Sequence, residues 1–280
     1  MSDAVEAVLE TVARAAPEIR QSLVGRRTYA DEQNPTGDEQ LDADVYADEL
    51  FERRLLDIDG VSQYASEERD EVVGGGDGLA VALDPLDGSS NVRSNNAMGT
   101  VVGVYDEPLP AGADALVASG FVLFGPLTTM VTAREGRVRE FVVEDGERRA
   151  VDRDLSIPDD PVVYGFGGRV PKWLDAFEGY VREVETELKL RYGGAMIADV
   201  NQVLTYGGVF GYPMLTDRQR GKLRLQFEGL PIAHVVESAG GRSSDGTGSI
   251  LAATPSTLHE RTPLFVGNAE YVDRLEAALA

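Results

Sequence analysis

The residues of this chain best suited to chemistry lie in one octamer, Asp84-Pro85-Leu86-Asp87-Gly88-Ser89-Ser90-Asn91, directly after the apolar run Leu79 to Leu83. Pro85 fixes its own φ and removes one amide hydrogen. A turn there can aim the Asp84 and Asp87 carboxylates, with the Leu86 carbonyl, at one point. Hard divalent cations take such a set of oxygens. Gly88, Ser89 and Ser90 are small and rich in backbone amides, and where they open a helix they form an anion site. A cation site beside a phosphate site is what metal-assisted phosphoryl transfer requires. Two aspartates three apart are common by chance in an acidic chain; the whole octamer after an apolar strand is far more specific.

The elements that must position this octamer can be read from periodicity. Leu79 to Leu83 reads as a buried strand ending at Asp84. Val5 to Leu23 reads as an amphipathic helix that Pro17 should kink or break. Asp44 to Asp57 reads as a second helix. Gly99 to Tyr105, Leu116 to Phe124, Leu127 to Ala133 and Arg139 to Val143 read as successive antiparallel strands. Pro171 to Leu188 reads as a helix with proline in its first turn. Met196 to Tyr206, Leu230 to Ala239 and Ala269 to Leu279 read as helices, and Leu264 to Val266 as a strand. Interleaved helices and strands imply stacked layers of sheet and helix. The glycines of Gly74-Gly75-Gly76-Asp77-Gly78 precede a strand, whereas a phosphate cradle follows one, so this stretch reads as a connector.

Composition narrows the chemistry further. The 280 residues include no cysteine and two histidines, His234 and His259. Disulfides, thiolate nucleophiles and sulfur-based zinc sites are excluded, and any metal must be a hard cation on oxygen ligands. Both histidines read as packing or surface groups, and Trp173 and Met196 as packing residues. No apolar run is long enough to span a membrane, and the first residues lack the pattern of a signal peptide, so a cytoplasmic protein is expected. Forty-eight acidic against 26 basic residues give a net charge of −22, which makes nucleic acid and anionic membranes poor partners. Only Lys172, Lys189 and Lys222 are lysines. Acid excess with scarce lysine is the composition of proteins adapted to molar salt, as in haloarchaea.

From Asn34 onward, several blocks in order resemble the class I fructose-1,6-bisphosphatases of the lithium-sensitive inositol monophosphatase-like superfamily. Asn34-Pro35-Thr36-Gly37-Asp38 with Leu41 to Leu50 resembles that family's catalytic loop and following helix. Ser66-Glu67-Glu68 resembles its paired glutamates, and Asp84 to Asn91 its signature. Arg191 to Met196 with Ala198-Asp199-Val200, Tyr206 to Pro213, and Gly221 to Leu225 through Glu228 complete the pattern. The resemblance implies an α/β (α+β) layered αβαβα sandwich of the sugar-phosphatase and inositol monophosphatase-like type. It implies one unit over 1–280, with approximate halves 1–155 on the metal and cleaved-phosphate side and 156–280 on the sugar and retained-phosphate side. It also implies hydrolysis of fructose 1,6-bisphosphate in gluconeogenesis, with two or three Mg²⁺ per site and Mn²⁺ as a substitute, in a homodimer or homotetramer.

Residue roles follow from the same resemblance. Glu67, Asp84, Asp87, Glu228 and the Leu86 carbonyl match metal ligands. Asp44 and Glu68 match the acids that position and deprotonate the attacking water, and Asp38 matches the loop acid that completes the site. Asp87, Gly88, Ser89 and Ser90 match the cradle for the cleaved phosphate. Tyr192, Tyr212 and Lys222 match contacts to the sugar and the retained phosphate, and Arg191 an arginine donated across a subunit interface. Taken singly, Lys222 reads as an ordinary surface lysine, the two tyrosines as core and Arg191 as a surface ion pair; the blocks reverse that. One departure stands out: the loop Tyr164-Gly165-Phe166-Gly167-Gly168-Arg169 lacks the family's phosphate-binding asparagine, for which Arg169 is a candidate substitute. No counterpart of the AMP-binding segment of animal enzymes precedes Asn34, so no AMP inhibition through such a site is expected. The competing readings are a related sugar bisphosphatase, an inositol monophosphatase and, from another class, an inactive acidic metal-binding scaffold. Arg191-Tyr192 and Lys222 to Glu228 suit a substrate with a second phosphate, and the Trp-Asp-x-Ala block of inositol phosphatases is absent.

Overall fold

The computed structural model describes residues 2–26, 29–33 and 39–280. Two sheets organise them. The larger has eight strands, in the spatial order Glu147–Asp152, Arg137–Glu144, Thr128–Arg134, Leu116–Phe124, Met98–Tyr105, Leu79–Asp87, Val61–Ser66 and Val73–Gly74. All neighbours are antiparallel except Val61–Ser66 and Leu79–Asp87, which run parallel. The smaller sheet orders Lys189–Leu190, Val163–Phe166, Gly208–Tyr212, Leu264–Gly267 and Arg242–Ser244.

Alternation along the strands divides the apolar residues into three cores. Tyr64, Val81, Leu83, Val102 and Val122 face the helices Ser2–Ser22 and Asp42–Leu56. Their opposite neighbours Ala80, Ala82, Val101 and Phe121 face the helices Met196–Tyr206 and Leu230–Ser238. Phe210 and Val266 of the smaller sheet close this same core from the other side. The outer face of the smaller sheet, with Tyr164, Phe166 and Phe265, packs on Asp175–Glu187 and Ala269–Leu279. Helix, sheet, helix, sheet and helix layers therefore stack in that order, the αβαβα sandwich expected.

The sequence expectations differ from the structure at three points. The Ser2–Ser22 helix does not break at Pro17; its buried stripe of Val5, Val8, Leu9, Val12, Ala16 and Ile19 lies on both sides of the proline and outweighs one lost hydrogen bond. The Pro171 to Leu188 segment is divided: a short 3₁₀ turn, Val170–Lys172, precedes the helix Asp175–Glu187. The strand at the octamer runs on from Leu83 to Asp87. The Asn34 to Asp38 block lies outside the described residues.

Candidate active site

The octamer is the distal end of a central strand, and its ladder is irregular. Asp84 pairs with Val101 and Asp87 with Gly99, so three steps on one strand oppose two on the other. Such a bulge shifts the alternation by one residue. Asp84 and Asp87, which a regular strand would send to opposite faces, thereby come within each other's electrostatic field. Proline explains the place of the bulge, because Pro85 has no N–H for the ladder. The freed groups are satisfied locally: the Thr100 hydroxyl donates to the Pro85 carbonyl at 2.9 Å, and the Leu86 amide to Asp84 Oδ1 at 2.9 Å. The Ser89 amide closes a turn on the Leu86 carbonyl at 3.1 Å. Gly88 adopts φ +77°, and a Cβ there would lie 2.3 Å from that of Ala195. Only glycine lets this turn approach the start of the Met196–Tyr206 helix. A single helical turn, Asn91–Ser94, follows.

Two other segments meet the octamer. Glu67 and Glu68 occupy the turn after the Val61–Ser66 strand, with the Glu67 amide donating to Leu83 O at 3.1 Å and the Glu68 amide to Ser66 Oγ at 3.0 Å. Glu228 sits in a π-helical turn, Leu225–Gly229, that leads into the Leu230–Ser238 helix. Glu67, Asp84 and Glu228 each offer an oxygen, and these three lie within 4.8 Å of one another.

That cluster cannot hold its full charge unaided. Burial is the first cause of every shift and mutual repulsion adds to it. Asp84 is raised well above the carboxylate range by burial, then by Glu67 and Asp87. Glu228 is raised to about 8 by burial and Glu67, against the pull of Arg224. Asp87 is raised to about 6 by burial, countered by the Ile197 amide and by Lys222. Asp44, on the first turn of Asp42–Leu56, is raised to about 7 by burial, although it accepts from the Leu41 amide at 2.7 Å and from Ser89. Converging buried oxygens with too little positive charge fit a hard divalent cation, so the acidic triad can bind a metal.

The other expected residues fall as follows. Asp87 stands apart from the triad; its Oδ2 accepts from the Ile197 amide at 2.9 Å, capping the Met196–Tyr206 helix. Glu68 is half-buried and adds to the field on Asp84. Tyr192 and Tyr212 hydroxyls lie 3.1 Å apart, and the Lys222 ammonium is 4.8 Å from the Tyr212 ring. Asp87 is in the field of both Tyr212 and Lys222, which joins this group to the carboxylates. Arg191, just after the Lys189–Leu190 strand, is exposed and lies along the Met196–Tyr206 helix, donating to Gln202 at 3.0 Å above the Tyr206 ring. Asp38 lies outside the described residues. At the loop that lacks asparagine, a Cβ on Gly167 would lie 2.1 Å from the Tyr212 ring. That ring fills the space a side chain would need; Arg169 is exposed at the edge of the 3₁₀ turn.

Three site residues carried no role in the sequence reading. Arg224 is 4% exposed, pairs with Glu67 at 2.6 Å and donates its backbone amide to Glu228 at 2.6 Å, so it ties two of the three clustered acids. Asp199 is raised to about 6 by burial while it accepts from the Gly193 and Gly194 amides. The Asn91 side-chain amide donates to Ala97 O and Gly193 O, both at 2.9 Å, fixing the segment that carries Tyr192 against the octamer. All three lie inside the matching blocks; what the sequence hides is the remote partners, Glu67 for Arg224 and Gly193 for Asn91.

Comparison with known proteins gives one answer throughout. The family model for the N-terminal domain of fructose-1-6-bisphosphatase matches residues 1–149, and that for its C-terminal domain matches residues 157–280. A class 1 fructose-1,6-bisphosphatase of Natronomonas pharaonis is 64% identical, with both chains covered in full. One from Halobacterium salinarum is 60% identical over all of this chain and 98% of its own. The crystal structure of Leishmania major fructose-1,6-bisphosphatase in holo form superposes with a TM-score of 0.89 at 30% identity, over 100% of this chain and 93% of that one.

Proposed function

The chain belongs to the fructose-1,6-bisphosphatase family, and from that premise we propose a magnesium-dependent hydrolysis at the 1-phosphate of fructose 1,6-bisphosphate, releasing fructose 6-phosphate for gluconeogenesis. Membership makes it a phosphoric monoester hydrolase that acts on fructose bisphosphate. The observation that carries the finer reading is the convergence of Glu67, Asp84 and Glu228 beside the octamer.

In this reading Glu67, Asp84, Asp87, Glu228 and the Leu86 carbonyl hold two or three Mg²⁺, or Mn²⁺ in their place. The cations, when bound, neutralise phosphate charge and acidify water. Asp44 and Glu68 orient the attacking water and accept its proton; burial makes Asp44 a stronger base than a solvated carboxylate. Asp38 completes the site from the preceding loop. Asp87, Gly88, Ser89 and Ser90 cradle the phosphate that leaves. Tyr192, Tyr212 and Lys222 hold the sugar and the retained phosphate, Lys222 as a compact charge beside an aromatic wall. Residues 1–155 thus carry mostly metal and cleaved phosphate, and 156–280 mostly sugar and retained phosphate, within one unit. Exposed Arg191 flanked by Leu190, 65% exposed, and Tyr206, 42% exposed, supports a homodimer or homotetramer in which Arg191 serves the neighbouring site.

Phosphate release from fructose 1,6-bisphosphate, sedoheptulose 1,7-bisphosphate and inositol 1-phosphate, in molar KCl with and without Mg²⁺, tests this. Fructose 1,6-bisphosphate should have the highest kcat/KM, and release should stop without divalent cation. Preference for either other substrate, or turnover in EDTA, would refute the assignment.

A further inference from the structure

Arg224 touches Glu67 and Glu228 directly; His259 joins the same two segments one layer further out. Its Nε2 lies 2.7 Å from the carbonyl oxygen of Arg69, two residues after Glu67. A carbonyl only accepts, so Nε2 carries the proton and donates. The imidazole also packs on Phe227, the residue before Glu228, with ring centroids 5.3 Å apart. Phe227 is fully buried. The next residue continues the lacing, since the Leu225 amide donates to the Glu260 carbonyl at 2.7 Å, and Arg261 pairs with Arg224 in a short antiparallel ladder.

What His259 grips is rigid on its other side. The Arg69 guanidinium pairs with Asp48 at 2.6 Å and Glu52 at 2.5 Å. Asp48 in turn accepts from the Tyr64 hydroxyl at 2.8 Å. Asp48 and Glu52 belong to the helix that carries Asp44, and Tyr64 to the strand that delivers Glu67. The chain Phe227, His259, Arg69, Asp48 therefore joins the Glu228 segment to the Glu67 turn and the Asp44 helix by direct contacts. Without the His259 bond that chain is broken, and Arg224 alone is left to span the two glutamates.

We infer that His259 is a positioning residue of the metal centre: by holding the Arg69 carbonyl against the Phe227 segment it sets the Glu67 to Glu228 separation and thereby the affinity for divalent cation. The inference rests on the metal-centre reading above. Groups hydrogen-bonded to metal ligands change affinity by roughly 10- to 100-fold when removed, and His259, one step further out, belongs at the lower end.

Direct Mn²⁺ binding to the full chain, followed by the EPR signal of free Mn²⁺ in molar KCl, tests it without turnover. His259→Phe keeps the ring on Phe227 and removes the donor; its Kd should rise roughly 10-fold. His259→Gln, whose Nε2 amide can reach the same carbonyl, should recover most of the loss. Unchanged affinity in His259→Phe overturns the inference, even if its Tm falls, because a merely structural role predicts that pattern. Equal weakness in both variants also overturns it, since the hydrogen bond would not be the cause. If the unmodified chain itself binds no Mn²⁺, the metal-centre reading fails and takes this inference with it.

Discussion

The carboxylate cluster stores a cost that depends on pH. Asp44, Asp87 and Glu228 have folded-state values of about 7, 6 and 8, all above those of a solvated carboxylate. An acid whose pKa rises on folding favours the folded state while protonated. Its contribution is present below the unfolded value and is lost as pH rises through the folded one. The metal-free protein should therefore lose stability between about pH 4 and 8. Melting in EDTA at fixed KCl should show Tm falling over that range, and Mg²⁺ should cancel the fall by supplying the missing charge. A Tm that rises with pH in EDTA would contradict this. Asp87 needs a separate argument because it also caps a helix. Asp87→Ala should abolish turnover and lose the helix cap, worth about 1 kcal/mol; Asp87→Asn keeps an acceptor for the Ile197 amide, should abolish turnover too, and should melt higher than Asp87→Ala and, above about pH 6 in EDTA, higher than the parent. Urea melts of both variants distinguish the roles. The acids of the octamer were legible in the sequence because they are contiguous. The Arg224 to Glu67 pair was not, since no local pattern links residues that only the fold brings together.

At the scale of elements, two irregularities aim the site. Proline places a bulge in the strand Leu79–Asp87, and a π turn presents Glu228 ahead of its helix. The sequence showed the strand but placed its end at Asp84, because periodicity cannot follow a ladder through a bulge. The helices Met196–Tyr206 and Ala269–Leu279 were legible residue for residue, each with a strong apolar face. The Val170–Lys172 turn was missed because a 3₁₀ turn has too few residues to show a period. At Gly167, in the loop where the resemblance implies an asparagine, the Tyr212 ring occupies the volume a side chain would need. Gly167→Asn should therefore displace Tyr212 instead of adding a phosphate ligand. We expect KM for fructose 1,6-bisphosphate to rise several-fold and stability to fall by about 1–3 kcal/mol. Steady-state kinetics with a urea melt check both, and a lowered KM would refute the packing argument. Gly179, inside the Asp175–Glu187 helix with open space at its Cβ, is the matched control. Gly179→Ala should stabilise by about 0.5–1 kcal/mol and leave KM unchanged.

The whole molecule must hold its net charge of −22 in a compact volume. Screening decides whether it can, because the Debye length is about 10 Å at 0.1 M salt and about 3 Å at 1 M. We propose that the protein is halophilic. Salt also weakens attractive pairs, and Arg274 with Glu187 at 2.8 Å and Glu183 at 3.4 Å is one such group. Exposed pairs are worth at most about 1 kcal/mol each, whereas acids outnumber bases by 48 to 26. Repulsion is therefore the larger effect, and Tm should climb as KCl rises from about 0.1 M to 3 M. KCl could act instead through the hydrophobic effect, which salt also strengthens, so a charge variant must separate the two. Asp59 and Asp106 are exposed and line one hollow of about 380 Å³ together with Asp3. Replacing Asp59 and Asp106 by asparagine removes two charges without touching the active site or the apolar core. If repulsion limits stability, the double variant melts higher than the parent at low salt and at the same temperature in molar KCl. A constant offset at every salt concentration, or none at all, would show that charge is not what the salt relieves.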